Sequence, residues 1–269
     1  MTIIDTPTSS ALRADARSTH RGIRLSRIVT TELRKMLDTR SGFWLMASVG
    51  ILALLATAAV ILFAPSNELT YNTFVSAIDI PLTLVLPVIA ILSVTSEWSQ
   101  RSGLTTFTLV PDRGRVIAAK AIACVGVAIA SMPVAFSIGA LGNVVHSAIA
   151  GVGPVWDLTV TNLLTIALAN VLSLLVGFML GVLIRSSAGA IAAYFIYQFL
   201  LPTLALPLAA SQHWFRDLQP WVDFDYTQGA LFDGALTTLQ WAQLGVTAMI
   251  WLVIPLMVGL GFVTRAEVK

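Results

Sequence analysis

Six apolar runs, at 42–63, 78–96, 115–141, 158–184, 188–209 and 239–263, set the terms on which this chain can fold. A helix gains about 1.5 Å per residue, so crossing the hydrocarbon core takes roughly 20 mostly apolar residues. Barrel strands would be about 10 residues long and would alternate polar with apolar, and these runs do not. Hydrophobic residues make up 57% of the chain and charged residues 11%, where soluble domains carry about a quarter charged. A backbone in lipid must satisfy its own hydrogen bonds, which helices do. The reading is an all-α polytopic membrane protein with six transmembrane helices. The first run follows 41 residues and exceeds the roughly 7–15 residue core of a signal peptide, so it is expected to stay as a span.

Lysine and arginine orient the spans. With the N-terminus inside, 15 of the 16 basic residues fall on inner segments and only Arg216 lies outside. Such a bias marks the cytoplasmic side, so both termini are expected in the cytoplasm. The 14 acidic residues divide evenly, leaving an acidic outer face at Glu68, Asp157, Asp217, Asp223, Asp225 and Asp233. The asymmetry reflects insertion and anionic lipid, and it implies no nucleic-acid partner.

Residues 1–22 are polar and rich in Ser, Thr, Arg and Asp, and are expected to be a disordered tail. Residues 23–40 are expected to hold an amphipathic helix at the membrane interface. Leu25, Ile28, Val29, Leu33, Met36 and Leu37 form one stripe at helical spacing, with Arg24, Arg27, Arg34 and Lys35 opposite. Glu32 falls inside the apolar stripe. A buried carboxylate needs a partner. That partner is either Lys35, three residues on, or a group on another element such as an arginine of the first inner loop.

The remaining residues, 41–269, carry the spans, an inner insert at 97–120 and an outer segment at 211–238. The middles of the spans lack Asp, Glu, Lys, Arg and His, and their polar content is Ser131, Asn170, Ser173 and Gln198. That argues against a proton relay at membrane depth. Asp79, near the outer end of the second run, reads as a helix cap or as a site for a cationic substrate. With Asn170 and Gln198 it is the candidate for a substrate path. His146 is expected just beyond the third span. Cys124, the lone cysteine, reads as apolar filler, since a single cysteine allows neither an internal disulfide nor a thiolate cluster. Gly177 and Gly181 form a GxxxG pair, expected to serve packing within the chain. Pro87, Pro133, Pro202, Pro207 and Pro255 mark possible bends. In 211–238, aromatics alternate with aspartates. The segment reads as an interfacial belt, or as one or two short helices dipping into the outer leaflet.

The insert, EWSQRSGLTTFTLVPDRGRVIAAK, places Leu104, Phe107, Leu109 and Val110 among Glu97, Arg101, Asp112, Arg113, Arg115 and Lys120. A short amphipathic helix that touches another protein has this composition, with the apolar residues as anchors and Arg101, Arg113 and Arg115 as rim. The competing reading is a loop that orients its span and binds lipid headgroups. No GxxxxGK[ST], HExxH or GxSxG motif occurs, so the chain is expected to be non-catalytic and without its own cofactor.

Taken in order, these parts resemble the exporter-type (type-two) permease subunits of bacterial ABC transporters. The matching features are TTELRKMLDTRSGFW with Glu32 and Lys35 ahead of the first span; Glu97, Arg101, Gly103 and Pro111 leading to Lys120 in the first inner loop; and the basic tail after the last span. The family commonly has an arginine three residues after the proline. Here that position is Gly114, with Arg113 and Arg115 on either side. The resemblance covers nearly the whole chain. It implies a coupling helix at 97–120 that docks on one of two separate ATP-binding subunits, with ATP and Mg held there. It further implies a second permease chain, as homo- or heterodimer, and residence in the bacterial cytoplasmic membrane. A secondary transporter or channel, or a membrane immunity or scaffold protein, are the alternatives.

Overall fold

A computed structural model describes residues 24–38, 40–65, 69–99 and 113–265. Nine helices are built from them. The amphipathic helix α1 spans Leu25–Asp38. The spans α2 (Arg40–Phe63), α3 (Tyr71–Ser99), α4 (Arg113–Ala150) and α5 (Val160–Ile184) follow. The fifth span, α6, runs through Ser187–Phe195, a π-helical turn at Ile196–Leu200, and Leu201–Ser211. Two short helices, α7 (His213–Val222) and α8 (Phe224–Gly229), lead through a 3-10 turn at Ala230–Phe232 to the last span. That span, α9, is Thr238–Ala248, a π turn at Met249–Val253, and Ile254–Arg265. No strand occurs among the described residues, and six helices are long and apolar enough to cross a membrane. The chain is an all-α, multi-pass membrane protein.

The spans fall where the apolar runs place them, with two extensions. The second begins at Tyr71 rather than residue 78, and the third continues to Ala150 rather than 141. The sequence reading stopped both at polar residues: the third helix carries through Asn143, His146 and Ser147 by burying them, whereas Asn72 and Ser76 of the second stay exposed. His146 therefore lies within α4 and is buried, not beyond the span.

Helix α5 is the axis of the bundle. In its most apolar stretch 61% of residues are buried, against 17% in α2 and in α6, whose outer faces are left for lipid or a partner. Gly177 lets α5 press on Pro87 of α3: a Cβ there would stand 2.7 Å from the Pro87 carbonyl oxygen. Gly181, a turn on, faces Ile91 of the same helix. The GxxxG pair thus serves packing within the chain. Around this axis one apolar core joins α2, α3, α4 and α5 through Ala53, Leu86, Cys124 and Phe178. A second joins α5, α6, α8 and α9 through Val176, Tyr194, Phe224 and Leu252. The lone Cys124 is buried in the first core, 3.1 Å from Ser93 Oγ.

Candidate functional site

Two polar assemblies interrupt the apolar interior. The first ties α1 to α4. Helix α1 turns Ile28 and Glu32 inward, as the apolar stripe requires, and Glu32 arrives as a carboxylate with 7% of its side chain exposed. Lys35 Nζ donates to Glu32 Oε1 at 2.7 Å, and Lys120 Nζ donates to Oε2. Lys120 lies two helical turns into α4, and 5% of its side chain is exposed. The two partners anticipated for Glu32 are therefore combined, and the one on the other element is Lys120, not an arginine. Burial alone would push the Glu32 carboxyl up. The Lys120 and then the Lys35 ammonium groups outweigh it and hold it below the ordinary 4.5.

Five residues on three spans make the second assembly. Asp79 sits eight residues into α3 with helix on both sides, so it is not a cap. Its Oδ1 accepts from Asn170 Nδ2 on α5, and its Oδ2 from Thr83 Oγ1, one turn on, at 3.2 Å. Asn170 also donates to the Ile166 carbonyl at 3.1 Å. The Tyr194 hydroxyl of α6 donates to the Thr83 carbonyl at 2.6 Å and lies 3.1 Å from Gln198 Oε1. The three candidates Asp79, Asn170 and Gln198 thus belong to one network, joined by Thr83 and Tyr194. The sequence reading missed both links. Their signal was spacing, because Thr83 and Tyr194 stand four residues from Asp79 and Gln198 and so share their helix faces.

Helices α7 and α8 fold back over the end of the bundle rather than lying as a plain aromatic belt. Gln228 reaches α5, where its Nε2 donates to the Ala169 carbonyl at 2.7 Å and Ser173 Oγ at 2.5 Å. Thr227 meets Thr247 of α9 at 2.8 Å, and Trp251 Nε1 donates to the Val222 carbonyl at 2.6 Å. Asp223 caps α8, its Oδ1 accepting from Tyr226 N. Burial, with the Asp223 charge next, pushes the Asp225 carboxyl up to about 6.

Arg101, Leu104, Phe107, Leu109 and Val110 lie outside the described residues, as do residues 1–22 and the basic tail after Arg265. Arg113 opens α4, and Arg115 follows on its first turn, half-buried. The chain matches no protein-family model and no curated protein sequence.

Proposed function

We propose that this chain is the transmembrane permease subunit of an ATP-driven ABC exporter. It works with a second permease chain and two separate ATP-binding subunits. The carrying observation is the Glu32–Lys120 pair. It fastens the interfacial helix to the foot of α4, at the last residue of the insert expected to meet the ATPase. Force applied to residues 97–120 is then delivered to α1 and α4 together, through a charge pair that is costly to break. The 15-to-1 distribution of basic residues supports a cytoplasmic insert, and on this reading the membrane is the bacterial inner membrane. On this reading the chain is non-catalytic, and ATP and Mg bind in the partner.

The test compares Phe107→Ala with Arg113→Ala. If the insert docks on an ATPase, Phe107 is an anchor and its truncation weakens docking by about 2 kcal/mol or more. Phe107→Ala then inserts normally but recovers less ATPase on purification, whereas Arg113→Ala loses less, in a salt-dependent way. Full ATPase recovery with Phe107→Ala rejects the coupling role.

The Asp79–Asn170–Thr83–Tyr194–Gln198 network favours a second reading, a secondary transporter that binds a cation or proton between α3, α5 and α6. Purified chain in ATP-free vesicles would then catalyse transport driven by an ion gradient, and Asp79→Asn would abolish it.

A further inference from the structure

Around Asp79 the acceptors outnumber the protons available to them. Asp79 lies eight residues, about 12 Å, inside the outer end of α3. Asn170 spends its two amide protons on Asp79 Oδ1 and the Ile166 carbonyl. Both are acceptors, which fixes the orientation of the amide. The Asn170 oxygen, Oδ1, is left buried without a partner, in a residue that is 1% exposed. Thr83 Oγ1 stands 3.0 Å from the Asp79 carbonyl oxygen and 3.2 Å from Asp79 Oδ2. A hydroxyl has one proton, so it serves one of these at a time. With Asp79 as a carboxylate, the other contact sets oxygen against oxygen with no proton between.

Charge points the same way. No ion pair reaches Asp79 among the described residues. Helix α5 carries no titratable side chain, α2 has only Arg40 at its inner end, and α4 presents Met132, Ala135 and Phe136 here. Helix α6 presents Tyr194, on the Thr83 carbonyl, with Asp225 of α8 beyond it. Neither brings a positive charge, whereas ionised carboxylates at membrane depth pair with one. A metal ion does not fit in its place. The free space beside Asp79 is about 10 Å³, one water-sized sphere. Apart from Asp79 and Asn170 its walls are apolar, Val75, Leu82, Met132 and Phe136 among them. Hard cations take about six or more oxygen ligands, which two residues cannot supply.

A proton meets both shortages. On Oδ2 it makes Asp79 the donor to Thr83 Oγ1, frees the Thr83 proton for the Asp79 carbonyl, and leaves Oδ1 to accept from Asn170. Each of these contacts then joins one donor to one acceptor, and only Asn170 Oδ1 still lacks a donor. We propose that Asp79 is a proton-binding site, held as a neutral carboxylic acid that donates to Thr83 and accepts from Asn170. The proton thereby ties α3 to α5, and the Thr83 carbonyl passes the link to Tyr194 of α6. The proposal rests on the network behind the ion-coupled reading and names the ion that reading would use. A bound proton and gradient-driven transport are measured separately, so either can fail alone.

The test is infrared spectroscopy of the full chain in phosphatidylcholine vesicles at neutral pH, with ordinary and isotopically labelled aspartate. The expected result is the carbonyl stretch of a protonated carboxyl, which moves with the isotope and is missing from Asp79→Asn. Asparagine can accept from Asn170 and donate to Thr83 as the neutral acid does, so Asp79→Asn should keep the parent's melting temperature. Exchanging sodium or potassium for choline should leave the parent's melting temperature unchanged. Absence of the protonated band from the parent, or its persistence in Asp79→Asn, would overturn the proposal. So would melting of Asp79→Asn well below the parent, or a sodium-dependent rise in the parent's melting temperature that Asp79→Asn abolishes.

Discussion

Glu32 is acceptable on an apolar helix face because two ammonium groups neutralise it. Removing one member of a buried pair leaves the other uncompensated, at about 3–5 kcal/mol. Glu32→Gln should therefore insert and express normally yet melt at a lower temperature in detergent, since the Lys120 ammonium keeps its burial but loses the Glu32 carboxylate. The pH dependence has a definite sign. The folded carboxyl titrates below the ordinary 4.5, so its stabilisation is full above that value and is lost as pH falls through the lower, folded value. Acid melting curves should be flatter for Glu32→Gln than for the parent. Glycines give a second comparison. A Cβ at 177 would sit 2.6 Å from Pro87 Cβ and 2.7 Å from its Cα, whereas at 181 the nearest atom is 3.4 Å away. Gly177→Ala should cost about 1–3 kcal/mol through overpacking, and Gly181→Ala much less. Equal melting temperatures for the two variants would contradict the close approach of α5 to α3.

Single elements differ in how far the sequence declared them. The stripe of α1 was legible because its apolar residues repeat at helical spacing, and the misplaced Glu32 announced a partner. Which partner was not legible, because Lys120 lies 88 residues away and only the packing of α1 on α4 brings it near. The start of α3 was hidden for a different reason. Tyr71, Asn72, Thr73, Ser76 and Asp79 read as a polar end, yet tertiary contacts carry the helix through them: Tyr71 OH donates to the Phe136 carbonyl and Asn72 N to Asp157. The π turns were half declared, by Pro202 and Pro255. Helices α7 and α8 carry their own pH signature. Asp225 titrates at about 6, above the ordinary 3.8, so its ionisation opposes the fold. Its favourable contribution is present below 3.8 and is lost as pH rises through about 6. Amide exchange in α8, corrected for intrinsic rate, should quicken between about pH 4 and 7, and Asp225→Asn should remove that change. An exchange profile of Asp225→Asn matching the parent's would discard this assignment.

For the molecule as a whole, span number and position followed from hydrophobic length alone, because lipid leaves a backbone little choice. The polar networks did not follow, since they depend on which spans touch, and periodicity within one helix says nothing of that. Sidedness rests on the basic residues and can be measured separately. In a Cys124→Ala background, Gln219→Cys should react with an impermeant thiol reagent in intact cells and Ser102→Cys should not. Labelling of Ser102→Cys would reverse the orientation. The large outward faces of α2 and α6, where Leu62, Phe63, Leu204 and Leu206 are exposed, suit either lipid or a second bundle. The space of about 210 Å³ between α5, α6 and α9 is too small to carry an amphiphile across alone, and the exporter reading supplies a wider path with a second permease chain. The most direct test is native mass spectrometry of the tagged chain extracted from its own host membrane in mild detergent. The account predicts an assembly of two permease chains with two ATP-binding subunits, stimulated to hydrolyse ATP by its substrate. A transport-active particle holding one copy of this chain and no ATPase would contradict it.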